Sequence, residues 1–172
     1  NMSWDPVNDF SPISLTVRAP SVLVVHPSVP VKSVKELIAL AKARPGELNY
    51  GSTSTGNANH IAAELFKAMA GVNIVRVPYK GGAQATIDLV GGQVHLMFSS
   101  AGSAIPHVKG GRLRALAVAS AEPSALAPGV PTIAAAGLPG YESTASTALL
   151  APAKTPQAII NRLNQEFVRV LN

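Results

Sequence analysis

The sequence predicts an α/β fold, a mostly parallel sheet flanked by helices. Short apolar runs alternate with stretches of helical period along most of the 172 residues, the pattern of strand–helix–strand units. Hydrophobic residues make up 47% and charged residues 13%, ample material for a core and too apolar for disorder. Aromatics are only 5%, so the layers must pack through Ala, Gly and Val.

The elements follow in order. Ser21 to Val25 (SVLVV) reads as a buried strand. Ser33 offers a helix N-cap with Glu36 three residues on, a capping box, and Val34, Leu37, Ile38 and Ala41 continue at helical spacing until Pro45-Gly46. Leu48 to Tyr50 is a second strand. The next helix sets Ile61, Leu65 and Met69 on one face and closes at Gly71. Ile74 to Val77 is a third strand, Ala83 to Val90 a helix, and Val94 to Phe98 a fourth strand. A short helical turn near Ile105 precedes a fifth strand, Leu113 to Ala119. Residues 122–140 are rich in Pro, Ala and Gly and read as a surface loop or linker. Thr144 to Leu150 is a further strand. Thr155 caps a last helix with Pro156 at its first position, where the missing N–H costs nothing. Ile159, Ile160, Leu163, Phe167 and Val170 mark its expected buried face. Asn1 to Phe10 shows no regular element, with Trp4 and Phe10 as isolated anchors.

Composition removes several functional classes. The net charge is +5, but Lys and Arg are scattered, with Lys109, Arg112 and Arg114 the densest group. No basic stripe with interleaved aromatics suggests nucleic acid, and an anionic small ligand suits the charge better. Zero cysteines exclude disulfides and thiolate metal sites. No apolar run reaches the roughly 18 residues that span a bilayer. No leader pattern opens the sequence, so an exported protein would be met here in mature or cut form.

Catalytic patterns are missing too. Gly51 to Gly56 does not hold G-x-S-x-G in register, and no G-K-[ST] completes a P-loop. His26, His60, His95 and His107 lack metal-ligand spacing, and His95 reads as a core histidine. Glu36, Glu64 and Asp88 fall on separate helices. No enzyme, no metal and no cofactor is therefore expected.

Binding is the better reading. Three strand-to-helix turns, 51–57, 79–82 and 99–103, consist largely of small, hydroxyl and glycine residues. In a parallel sheet such turns share the edge at the strands' carboxyl ends. Each also delivers a helix N-terminus with unpaired N–H groups and partial positive charge, which small side chains let an anion approach. The candidate ligand-binding residues are Tyr50, Ser52, Thr53, Ser54, Thr55, Gly56 and Asn57 from the first turn, with His60 just inside its helix. Tyr79, Lys80 and Gly81 come from the second turn, and Ser99 and Ser100 from the third. The competing reading is that Gly, Ser and Thr simply make good turns and caps.

Longer motifs add to this. WDPVNDFSPIS from Trp4, NYGSTSTGN from Asn49, VPYKGG from Val77 and VHLMFSSAGSAIPHV from Val94 occur in order. LRALAVAS, GLPGYE and LLAPAKTP follow. Together they resemble the extracytoplasmic solute receptors of tripartite tricarboxylate transporters, the Bug or TctC-like family, across essentially the whole chain. The resemblance implies a type II periplasmic binding-protein architecture, whose two α/β lobes close on a small carboxylate, and a periplasmic, non-catalytic receptor serving membrane transporter subunits. The YGS loop (Tyr50 to Asn57), the VPYKG loop (Val77 to Gly81) and the turn Ser99 to Ser103 would form one pocket wall. The family's glycine-rich loop of the first lobe has no counterpart here. Residues 1–20 are then expected to be a remnant of the first lobe and hinge entry. Residues 21–140 would be the ligand-binding lobe, and residues 141–172 a return strand and terminal helix of the first lobe. Departures occur at Arg76, where the family usually has His, at Ala135 or Ala136, and near Ser146. One alternative is a receptor-like protein that no longer binds solute and self-associates, as a homodimer that exchanges its terminal helix or strand. Another, an effector-sensing domain of a transcription regulator, lacks its helix-turn-helix.

Overall fold

Strand β1 (Phe10–Val25) runs for 16 residues in this computed structural model, which describes residues 3–171. Asn1, Met2 and Asn172 lie outside the described residues. The chain divides into two compact units, Asn1–Arg18 with Ser146–Asn172, and Ala19–Ala145. β1 contributes to both.

In the larger unit, β1 is followed by α1 (Val34–Ala43), β2 (Asn49–Ser52), α2 (Ala58–Ala70), β3 (Val75–Pro78) and α3 (Gly82–Val90). Then come β4 (Leu96–Ser100), α4 (Ala101–Lys109) and β5 (Arg114–Val118). The strands lie in the order β3-β2-β4-β1-β5. β2 pairs in parallel with both β3 and β4, while β1 is antiparallel to β4 and β5. Four strands therefore run one way and β1 runs against them, a mixed sheet where the sequence suggested a mostly parallel one. A strand buried on both faces reads as a continuous apolar run whichever way it points, so its direction leaves no mark in the sequence.

The alternation of β1 divides the core. Leu23 and Val25 face one cluster with α1 and α2, built on Leu37, Tyr50, Phe66, Phe98 and Tyr141. Val22 and Val24 face the other with α3 and α4, built on Ala85, Leu89, Met97 and Ala104. Side chains two apart on a strand share a face, and all four of these residues are fully buried. Ser33 caps α1, accepting from the Glu36 N–H at 3.2 Å, while the Glu36 carboxylate reaches back to the Lys32 N–H at 2.7 Å. Gly71 closes α2 at φ +62°, a left-handed position where a Cβ is unfavourable. The turn near Ile105 extends to the nine residues of α4 with Pro106 inside it.

α2 is rotated from its expected setting. It buries Ala62, Ala63, Phe66 and Ala70, whereas Ile61 and Met69 are exposed. Leu65 is only half-buried. The small alanines let the helix lie close to the sheet, and Phe66 fills the space against Phe98 and Tyr141 at ring centroid distances of 5.9 and 6.2 Å. Hydrophobicity ranks isoleucine above alanine, but close packing prefers the small face.

The smaller unit contains the start of β1, strand β6 (Thr144–Pro152), which pairs with β1, and helix α5 (Gln157–Leu171). Thr16 Oγ donates to the Thr147 carbonyl at 3.0 Å, and Asn164 Nδ2 to the Ile13 carbonyl at 2.6 Å. Ile13, Ala151 and Ile160 form its core. The expected buried face of α5 shrinks to Ile160, with Ile159, Leu163 and Val170 exposed and Phe167 half-buried. Trp4 and Phe10 are not isolated anchors; they meet edge-to-face at 5.5 Å.

Candidate functional site

Because β2, β3 and β4 run the same way, the three turns that follow them emerge at one sheet edge. Each leads into a helix: α2 from Asn57, α3 from Gly81 and α4 from Ser100. Their meeting leaves a cavity of about 230 Å³ within the larger unit. Ser52 and Thr53 come from the first turn, Gly82 from the second, and Ser99, Ser100 and Ser103 from the third. Asn59, Thr86 and Met97 complete the lining, and no Asp or Glu takes part.

The first turn is built by Arg76. From β3 its guanidinium donates to Ser52 Oγ at 2.7 Å, Thr55 Oγ1 at 2.8 Å and the Thr53 carbonyl at 2.6 Å. A planar fork serves three acceptors at once, which an ammonium cannot do. Asn57 Oδ1 accepts from the His60 N–H at 2.8 Å as the N-cap of α2, and its amide also contacts Thr53 Oγ1. His60 Nδ1 accepts from the Gly56 N–H at 3.1 Å. The loop is thus held from both sides.

These bonds decide which way the remaining polar atoms act. Ser52 Oγ is used as an acceptor by Arg76, so its own proton is free to donate. Asn59 Oδ1 accepts from the buried Ser21 hydroxyl at 2.8 Å, which leaves its amide NH₂ for the cavity. Ser99 is buried, and its hydroxyl has no hydrogen bond among the described residues. Ser100 caps α4, accepting from the Ser103 N–H at 3.3 Å. Gly81 gives α3 no side-chain cap, so the first-turn N–H groups of α3 lack that partner. Ser52, Asn59 and the first turn of α3 thus have donors to spare at the cavity, while the Thr86 hydroxyl donates within α3 to the Gly82 carbonyl at 2.9 Å.

The remaining candidates lie elsewhere. Tyr50 sits in the core, and its hydroxyl donates to Glu64 Oε1 at 2.5 Å. Burial and Glu64 raise that phenol well above the usual tyrosine range. Burial also pulls Glu64 upward, but the Lys67 ammonium at 2.8 Å and the Tyr50 hydroxyl outweigh it and hold the carboxyl below its ordinary value. Tyr79 donates to Asp88 at 2.8 Å, and burial with that carboxylate pushes it up to about 12. Ser54, Thr55, Gly56, Lys80 and Gly81 are exposed and do not line the cavity, and Asn57 and His60 serve the loop. His95 is hydrogen-bonded as a structural residue, its Nδ1 accepting from the Asn49 N–H at 3.1 Å.

Gly82 and Ser103 join the lining from the ends of the second and third turns, and Asn59, Thr86 and Met97 join it although sequence reasoning did not single them out. Helical spacing does relate three of them. Gly82 and Thr86 are one turn apart on α3, and Ser103 is three residues beyond the cap Ser100. Arg76 could have been found as the one charge in an apolar edge strand, directed at the hydroxyl loop.

The family model described as "Tripartite tricarboxylate transporter family receptor" matches residues 1–172. A UPF0065 protein from the tcbD-tcbE intergenic region of Pseudomonas sp. (strain P51) is 38% identical over 164 residues, covering 95% of this chain and 49% of that protein. The structure of R. palustris Rpa4515 with adipate superposes at a TM-score of 0.88 with 42% identity, over 97% of this chain and 56% of the other. MatC (Rpa3494) from Rhodopseudomonas palustris with bound malate also gives 0.88, at 30% identity, over 99% of this chain and 58% of the other. The chain spans about half the length of the curated relatives it matches.

Proposed function

This chain belongs to the tripartite tricarboxylate transporter receptor family, and we propose that it holds a small carboxylate as a non-catalytic solute receptor. The observation that carries the reading is the cavity where three turns converge, lined by Ser52, Asn59 and Ser99 with no carboxylate in its lining. A carboxylate offers about four lone-pair sites and no proton, the complement of Ser52, Asn59, Ser99 and the N-terminus of α3. Two helix N-termini add partial positive charge. That two relatives of 42% and 30% identity were solved with adipate and with malate supports the ligand class. As a receptor of this kind the protein works in the periplasm and passes its ligand to membrane transporter subunits.

Ser100→Asp tests the reading. Aspartate caps a helix as well as serine does, so α4 keeps its N-cap while a negative charge enters the cavity. In isothermal titration with succinate, malate and adipate, the wild-type chain binds at least one acid. The Asp variant loses about tenfold or more in affinity, and the neutral cap Ser100→Asn retains most of it. Equal affinity in the Asp variant would move the site away from this edge.

A second reading has its own observation. Leu163, Phe167 and Val170 on α5 line an open cavity of about 250 Å³, and Val170 is 77% exposed. An apolar helix face of this kind favours association with a second copy of the chain.

A further inference from the structure

Four polar residues are buried among the described residues: Ser21, Ser52, Ser99 and Thr132. Ser52 and Ser99 line the turn-edge cavity, and Thr132 Oγ1 accepts from the Ala135 N–H at 3.1 Å. Ser21 does neither. It stands on β1 two residues before Leu23 and so shares its face, the one packed on α2. There its hydroxyl donates to Asn59 Oδ1 at 2.8 Å, across 38 residues of sequence. Asn59 is the second residue of α2 and part of the cavity wall, and its Nδ2 enters no hydrogen bond among the described residues. An asparagine amide has two settings of nearly equal shape, one with N–H donors facing the cavity and the other with a carbonyl acceptor there. Ser21 decides between them. Were the amide turned over, its NH₂ would donate to Ser21 Oγ, and the hydroxyl proton would have no acceptor among the described residues. Ser21 is 4% exposed, so water does not make up the loss, and an unmet buried donor costs more than one hydrogen bond contributes.

We propose that Ser21 is a positioning residue for the ligand site, one that fixes Asn59 as a donor and thereby selects a carboxylate over the matching amide. This role rests on the carboxylate reading above and adds to it a residue that touches no ligand. The two ligand groups share a planar shape and differ in what they offer. A carboxylate brings acceptors alone, whereas a primary amide also brings N–H donors that need an acceptor on the wall. An Asn59 free to turn would supply that acceptor. Held by Ser21, it sets N–H groups against N–H groups and refuses the amide. Discrimination of this kind depends on the group a wall withholds as much as on the bonds it makes.

Titration calorimetry of the 172-residue chain with malate, succinate and adipate, each beside its diamide, tests the role. Ser21→Ala should weaken the acids about fivefold, less than the loss of a whole charge-assisted contact, because Asn59 can still turn its amide inward. The preference for acid over diamide should fall by at least as much, since the diamide gains an acceptor. Asn59→Ala removes the group on which Ser21 acts, so adding Ser21→Ala to it should change acid binding no further. Ser21→Thr and Ser21→Val match each other in shape, and only the threonine variant should bind as the wild type does. That pair reads the hydroxyl with the packing held equal, so the test does not depend on one variant. A Ser21→Ala loss that persists in full on the Asn59→Ala background, equal binding by the Thr and Val variants, or an unchanged preference for acid overturns the positioning role while the carboxylate site stands. Absence of saturable binding of all three acids to the wild-type chain overturns the carboxylate reading and the role of Ser21 with it.

Discussion

Arg76 is the residue on which the first turn depends. Its three hydrogen bonds tie β3 to a loop of small side chains that has no apolar contacts of its own to fix it. It also places a fixed positive charge one hydroxyl away from the cavity and turns the Ser52 proton outward. Arg76→Ala is expected to weaken carboxylate binding about tenfold, since a preformed donor set becomes one that the ligand must order. Arg76→Lys should not rescue it, because a single ammonium cannot reach three acceptors in one plane. Titration calorimetry checks this, and wild-type affinity in the lysine variant would show that charge alone suffices. The same residue shows how local chemistry is read from sequence. Its position as the lone charge in VRVP is visible, but its acceptors lie 21–24 residues upstream, and only the parallel pairing of β2 with β3 brings them within reach.

At the scale of elements, the helices follow their terminal signals closely. Ser33 and Glu36 begin α1, Gly71 ends α2, and Gly91 follows α3. Such signals are local, because each satisfies the unpaired backbone groups of its own terminus. Gly71→Ala is expected to cost about 1–2 kcal/mol, the usual penalty for a Cβ in the left-handed region. No neighbouring atom lies within 4 Å of the added methyl, so packing contributes nothing. Urea denaturation measures the loss, and an unchanged midpoint would mean that α2 frays at its end without consequence. Helix faces proved less legible than helix ends. Ile61 and Met69 look like core residues by hydrophobicity, yet α2 buries its alanines and Phe66, because the facing sheet already carries Phe98 and leaves room for only one large ring. On α5 the apolar stripe is written clearly, but only Ile160 finds a partner among the described residues.

For the whole molecule, that stripe and the net charge of +5 act in opposite directions. Like charges keep copies apart, while Leu163, Phe167 and Val170 offer apolar area to a second copy. Light scattering at low micromolar concentration and above is expected to show a mass rising with concentration. Leu163→Glu with Val170→Glu should return it to the monomer value without loss of helix. A wild-type chain that stays monomeric across that range would show that the face is tolerated in water. The two variant positions are exposed, so the substitutions should disturb folding little.

What the sequence determined by itself are the features with short-range causes. These are the alternation of strands and helices, their caps, the family motifs and the three small-residue turns. Each follows from backbone hydrogen bonding or side-chain size within a few residues, and so is recorded locally. The direction of β1, the face of α2 and the clamp of Arg76 were decided only in three dimensions. So was the selection of Ser52, Thr53, Ser99 and Ser100 from thirteen candidates as cavity lining. Their causes are contacts between segments far apart in the chain, where the volume left by one element fixes which side chain of another can fill it.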